Sequence, residues 1–252
     1  MRRLTLVLSA ALLLLLLVGM LGTWSLFRPG PAHEIRLEVA PGTPARRVLE
    51  EAHDRGLLPS PLMGRLYLAV RGMGRTIHFG HYRIPPSARP VDVLERLLDG
   101  RVVMVEVTIP EGKTLAEIGA IMAAAGIGTE REWSATAHRV DWIGSLVPRA
   151  PSLEGFLFPD TYSFAEGTGA TSAARFMVHR FLEVWRTESE GLAPWGTPLE
   201  VVTLASLVEA ETSVPEERPL VAGVFLNRLR RGMLLQCDPT VVYALKRRGL
   251  WR

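Results

Sequence analysis

The 252-residue chain has a single cysteine, Cys237. No disulfide can therefore form within it, and the cysteine count identifies no redox compartment. Net charge is nearly absent as well. With 29 basic and 26 acidic residues the balance is only +3, too little to imply a nucleic-acid partner without a basic stripe or a reader motif, and neither is present. The cations nearest to a cluster, Arg228, Arg230 and Arg231 and then Lys246, Arg247 and Arg248, read as helix ends or a solvated face. His78 and His81 lie three apart, but no His-Glu-x-x-His helix or cysteine pair accompanies them, so no metal site is expected. Gly72-Met-Gly74 lacks the third glycine of a dinucleotide loop and no Gly-x-Ser-x-Gly elbow occurs. Nucleotide binding and serine hydrolysis drop out, and no cofactor is implied.

What is present begins with 48% hydrophobic residues and 22% charged, a globular composition long enough for one sizeable or two small domains. Leu4–Phe27 contains no charged residue and includes six consecutive leucines, Leu12–Leu17. As a helix it would be roughly 36 Å long, against a hydrocarbon core of about 30 Å. Arg2 and Arg3 precede the run and Trp24, Phe27 and Arg28 end it. This predicts a cytoplasmic tail over 1–3, a transmembrane helix over 4–27 and the bulk of the chain outside the cytoplasmic membrane, periplasmic or extracellular. The run is too long for a signal peptide, and no small-x-small site closes it.

After the Arg28-Pro-Gly-Pro31 breaker, an alternating strand, a Pro/Gly turn and an amphipathic helix recur three times. Glu34–Leu58 alternates Ile35, Leu37 and Val39 before Val48, Leu49 and Ala52; Tyr82–Gly100 leads to Val93, Leu94, Leu97 and Leu98; Val102–Gly128 places Val103, Val105, Val107 and Ile109 on one strand face. No unit can bury its own face, so the three are expected to pack as one α+β module over 34–128. A second, mainly helical α+β domain is expected over 129–252, with helices at Trp133–Leu146 and Ala173–Glu190 around the punctuated Pro148–Gly169. Thr197, Pro198 and Glu200 form a capping box that starts a further helix, and Pro219–Arg231 reads as the next, stopped by Gly232.

Three constellations could carry chemistry. In LASLVEAET, Glu211 follows Leu204, Leu207 and Val208 at helical spacing, whereas Glu209 follows Val202, Ala205 and Ser206. Glu211 is thus expected beside an apolar stripe, where desolvation would raise its pKa toward that of a general acid. The competing reading has either glutamate capping the helix end or pairing with Arg218. In SLEGFLFPDTYSF, the aromatic residues Phe156, Phe158, Tyr162 and Phe164 interleave with Glu154, Asp160 and Thr161. That pattern suits a sugar face; a core strand with an Asp-Thr turn is the plain alternative. In NRLRRGMLLQCDPTVVYAL, residues Gln236, Asp238, Thr240 and Tyr243 alternate with apolar ones after a glycine, as loop residues lining a cleft.

Together LEGFLFPDTYSF, LASLVEAET and ERPLVAGVFLNRLRRGMLLQCDPTVVYAL closely resemble the MltG (YceG-like) family of endolytic murein transglycosylases. The resemblance spans nearly the whole chain, with an anchor, Pro-Gly-Thr and Pro-Glu-Gly-Lys-Thr-Leu segments in a LysM-like module, and the catalytic signature in order. It implies that Glu211, the second glutamate of Glu-x-Glu-Thr, is catalytic. Glu154, Phe158, Asp160, Thr161, Tyr162, Asn227, Gln236, Asp238 and Tyr243 would lie in or near a glycan cleft. The implied activity is internal cleavage of nascent peptidoglycan strands at the MurNAc–GlcNAc bond to leave 1,6-anhydroMurNAc ends, terminating growth, with peptidoglycan synthases such as penicillin-binding proteins as partners. Members of the family continue past Asp-Pro-Thr-Val, so the catalytic domain is expected to be partial here. The rival readings are a noncatalytic wall-binding scaffold and a two-carboxylate hydrolase pairing Glu211 with Asp160 or Asp238.

Overall fold

A computed structural model of the protein describes residues 13, 17, 19–40, 42–71, 76–190 and 196–250. They fall into two compact units, residues 1–105 with 165–167 and residues 106–164 with 168–252. Most of Leu4–Phe27, like Gly72–Gly74, lies outside the described residues. Among the described residues no helix is long and apolar enough to cross a membrane.

The described residues of the first unit begin with helical ones, among them 19–25, here α1. Strand β1 (Ile35–Val39) then pairs antiparallel with β2 (Gly80–Ile84), Leu37 opposite Tyr82 and Ile35 opposite Ile84. The period-2 alternation puts Leu37, Val39, Tyr82 and Ile84 on the buried face. Onto it pack α2 (Ala45–Asp54), through Val48, Leu49 and Ala52, and α4 (Pro90–Asp99), through Val93, Leu94, Leu97 and Leu98. These are the apolar residues the sequence pattern selects. An additional helix, α3 (Pro61–Arg71), was not marked by any strand-turn-helix repeat; its Gly64 is buried beneath Leu49 and Leu58.

The second unit differs from expectation at its start. Strand β3 (Met104–Thr108) pairs with β4 (Thr161–Ala165) in a two-stranded sheet of its own and does not extend β1–β2. The three repeats therefore do not form one sheet. The division between the units also falls near Val105 rather than near Gly128, because α5 (Leu115–Ala124) packs on α6 (Glu130–Thr136), and α6 on α7 (Ala170–Ser189). Trp133 anchors this packing, buried against Gly119, with its indole N–H donating to the Ile127 carbonyl at 2.8 Å.

The helix expected over Trp133–Leu146 is broken. After α6 the chain turns, and a single 3-10 turn follows at Val140–Ile143. The Ala137 carbonyl that would continue the helix instead accepts from the Leu153 N–H at 2.8 Å. The unit ends in α8 (Pro198–Glu211), α9 (Arg218–Arg230) and α10 (Asp238–Arg247). The box that starts α8 is formed as the sequence predicts: Thr197 accepts from the Glu200 N–H, and the Glu200 carboxylate accepts from the Thr197 N–H at 2.7 Å. Val208, Phe225 and Cys237 form the small apolar cluster that ties the three helices together.

Candidate functional site

Glu211 is the last residue of α8, and Thr212 leaves the helix in extended conformation. The apolar enclosure expected around Glu211 is not there; its side chain is exposed. Helical spacing identifies the residues beside it on α8, and Leu204, Leu207 and Val208 do pack with Phe225 and Cys237, but that packing stops short of Glu211. One carboxylate oxygen has a fixed partner, because the thiol of Cys237, immediately before α10, donates to Glu211 Oε2 at 3.5 Å. The cysteine is buried, and burial pushes its thiol up, with the Glu211 carboxylate adding to the effect; it is held as the S–H donor. Glu209 follows the competing reading. It is half-buried and ion-paired with Arg218 at 3.3 Å. The buried Nε of that arginine has no hydrogen-bond partner among the described residues.

The remaining candidates separate into groups. Asp238 begins α10 and Gln236 lies two residues before it, in left-handed conformation (φ 50°), its carboxamide oxygen accepting from Arg228 at 3.3 Å. These two flank Cys237 in the chain. Asn227 is an exposed residue of α9. Residues 238–247, read from the sequence as a polar loop, form helix α10, with Pro239 in its first turn. That helix carries Tyr243, Lys246 and Arg247 toward Glu154 and Glu117. Glu154 is half-buried and accepts from the Leu115 N–H at the start of α5 at 3.0 Å. Burial pushes its carboxyl above the ordinary range, opposed by that N–H and by the positive charge of Arg247. Tyr243 is likewise pushed up, first by burial and then by the Glu154 charge.

The aromatic segment follows its plain alternative. Phe156, Tyr162 and Phe164 are buried; Phe156 meets Phe181 edge-on at 5.2 Å and Tyr162 stacks on Phe164 at 5.6 Å. These rings fill the core, and the Tyr162 hydroxyl donates to the Phe158 carbonyl at 2.5 Å. The polar residues around them do reach the surface: Asp160 is exposed and paired with Arg180 at 3.1 Å, Arg180 lies over the half-buried Phe158 ring, and the Thr161 and Thr108 hydroxyls are 2.9 Å apart. Sequence reasoning passed over Arg180 and the thiol of Cys237. Their spacing carries no motif, and only the fold brings them to Asp160 and Glu211. Among the described residues no three His, Cys, Asp or Glu side chains converge as a metal site would require.

Known proteins resemble the chain. Two relatives from strains of Streptococcus pneumoniae, each named endolytic murein transglycosylase, are 30% and 31% identical over 204 and 201 residues, 68% of this chain. A third of the same name, from Bacillus subtilis, is 24% identical over 229 residues, 83% of this chain. The chain spans 36% of the length of the pneumococcal relatives and 63% of the Bacillus one. A crystal structure of a YceG-like protein from Listeria monocytogenes aligns with a TM-score of 0.49 at 23% identity, covering 84% of this chain and 76% of that one. The model of the YceG-like family matches residues 37–251, from β1 to the end of α10 and beyond, and the chain belongs to that family.

Proposed function

We propose that the chain acts as an endolytic lytic transglycosylase on peptidoglycan, with Glu211 as its acid and base. The observation that carries the reading is an exposed carboxylate at the end of α8, held at one oxygen by a buried thiol within a family whose relatives bear that activity in their names. In the proposed reaction, protonated Glu211 gives its proton to the glycosidic oxygen between MurNAc and GlcNAc. As carboxylate it then takes the proton of the MurNAc C6 hydroxyl, whose oxygen closes on C1. One C–O bond breaks, one forms, and water is not consumed. A polymer must reach the acid from the side, which an open position at a helix end permits.

Around Glu211 we place Gln236 and Asp238 as contacts to the strand, with Asn227 and Tyr243 farther along α9 and α10, Glu154 in the turn before β4, and Phe158, Asp160 and Thr161 near β4 as outer contacts. Tyr162 would act through the Phe158 backbone that it holds. The rest of the reading is a LysM-like module ahead of the division near Val105, a catalytic domain after it, and a single anchor over Leu4–Phe27 in the cytoplasmic membrane with its N-terminus inside. Synthases of the glycan strand are the partners this placement favours. Carbonate extraction tests the anchor, and a soluble mature protein cleaved after the apolar run would remove it. Crosslinking to penicillin-binding proteins in intact cells tests the partnership.

The deciding experiment is mass spectrometry of glycan products. Wild type should leave 1,6-anhydro ends, lighter by one water than a hydrolase's reducing ends. Glu211→Gln should abolish them, and Glu209→Gln should cost activity only as far as it loosens Arg218. Hydrated ends, or undiminished cleavage by Glu211→Gln, would overturn the mechanism, and the absence of new ends from wild type would favour a scaffold.

A further inference from the structure

Helix α3 has apolar residues on two sides. One side is consumed by the fold: Gly64 is buried beneath Leu49, Met63, Tyr67 and Leu68 pack on the first unit's core, and the Tyr67 hydroxyl donates to Glu95. The other side is a surplus. Leu62, Leu66 and Val70 recur every four residues, 60%, 58% and 72% exposed, in a continuous stripe flanked by exposed Arg65. Isolated exposed leucines need no explanation, whereas an apolar row along one helix face marks an interaction surface.

The neighbouring α1 indicates what the surface meets. Gly22 of α1 lies against Met63 of α3, so closely that an added Cβ would stand 3.0 Å from the methionine Cε. Just beyond α1, Leu26 is buried in the core, and its carbonyl accepts from the Val91 N–H at 3.1 Å. The end of the uncharged Leu4–Phe27 run is thereby tied to the body of the unit beside α3. Met20, Leu21, Trp24 and Phe27 of that run are exposed, and the Arg28 guanidinium lies 3.9 Å from the centre of the Trp24 ring. A tryptophan with a cation beside it is the pairing found at headgroup depth.

We infer that α3 lies flat in the surface of the bilayer from which α1 emerges, with Leu62, Leu66 and Val70 in the acyl boundary and Arg65 and Arg28 at anionic headgroups. The inference rests on the membrane anchor proposed above. An amphipathic helix in this plane needs an apolar row, cations at its edge and a position near the lipid, and the first unit supplies all three. A partner protein or a second copy of the chain would explain the stripe but not its attachment beside the apolar run. The unit would then have two contacts with the membrane, the helix that enters it and the helix that rests on it.

The test uses the full chain in vesicles of phosphatidylglycerol and phosphatidylethanolamine, in a Cys237→Ser background. An environment-sensitive fluorophore is placed on Leu66→Cys or, as a second site, Leu62→Cys, with Arg46→Cys, at an exposed position of α2, as the solvent control. The inference expects blue-shifted emission and quenching by shallow spin-labelled lipid at 66 and 62 and neither effect at 46, in protein that floats with the vesicles after carbonate. Floating protein with labels at 66 and 62 as wet as at 46 overturns the inference and leaves the anchor standing. Protein that does not float overturns both. Shielding at 66 that appears only as protein density in the bilayer rises assigns the stripe to a second copy, and overturns the inference as well.

Discussion

Glu117 connects two parts of the second unit, and its replacement by glutamine has a calculable cost. One oxygen of its carboxylate closes the capping box of α5, accepting from the Thr114 N–H at 2.8 Å and hydroxyl at 2.9 Å; the other receives Lys246 of α10 at 3.0 Å. The Thr114 N–H is the largest cause, and Lys246 a smaller one, of a carboxyl held down from 4.5 to about 2. At about 1.4 kcal/mol per tenfold that difference would be worth about 3 kcal/mol in a sheltered site. The side chain is 36% exposed, so solvent screening reduces it to about 1 kcal/mol. Because the folded value lies below the unfolded one, the stabilisation is present above pH 4.5 and fades as pH falls toward 2. Urea unfolding, followed by tryptophan emission to which buried Trp133 contributes, should show Glu117→Gln less stable by about 1 kcal/mol at pH 7. The two proteins should converge near pH 2. A difference that stays constant across that range, or none at pH 7, would refute the assignment of the effect to the carboxylate's charge.

Gly128 has a left-handed backbone (φ 69°), and an added Cβ would lie 2.7 Å from the Ala170 nitrogen; Gly112 has the same handedness (φ 72°) and open space. Gly112→Ala should cost about 1–2 kcal/mol from backbone strain alone, and Gly128→Ala about 3 kcal/mol with overpacking added. Equal shifts in denaturant midpoint would show that the contact with α7 does not matter. With one cysteine in the chain, the S–H stretching band in the infrared belongs to Cys237. Glu211→Gln should move it to higher frequency and Glu209→Gln should not; a band indifferent to both would remove the Cys237–Glu211 hydrogen bond.

The elements legible in the sequence are those specified by neighbouring residues. Thr197, Pro198 and Glu200 announce α8 because a capping box is closed within four positions. Leu37 and Val39 are legible as buried because alternation fixes a strand's faces. Alternation does not name a partner, which is why β3 was grouped with β1 and β2 although it pairs with β4. In α10 the period-2 pattern of Gln236, Asp238 and Thr240 outweighed Pro239, a residue at home in a helix's first turn. The site failed differently. Helical spacing placed Leu204, Leu207 and Val208 near Glu211, but exposure depends on what packs across the helix, and that is a long-range fact. Arg218 was legible as a carboxylate partner, and it took Glu209.

The cap at Thr197 also acts as a ruler. It fixes where α8 begins, and Glu211 stands at the end of the fourteen residues that follow. At 3.6 residues per turn, each residue inserted between them swings the carboxylate by about 100° around the helix axis and carries it about 1.5 Å along. Its direction toward Cys237 is therefore encoded as a count, and surface positions of α8 are free to change identity while their number is not.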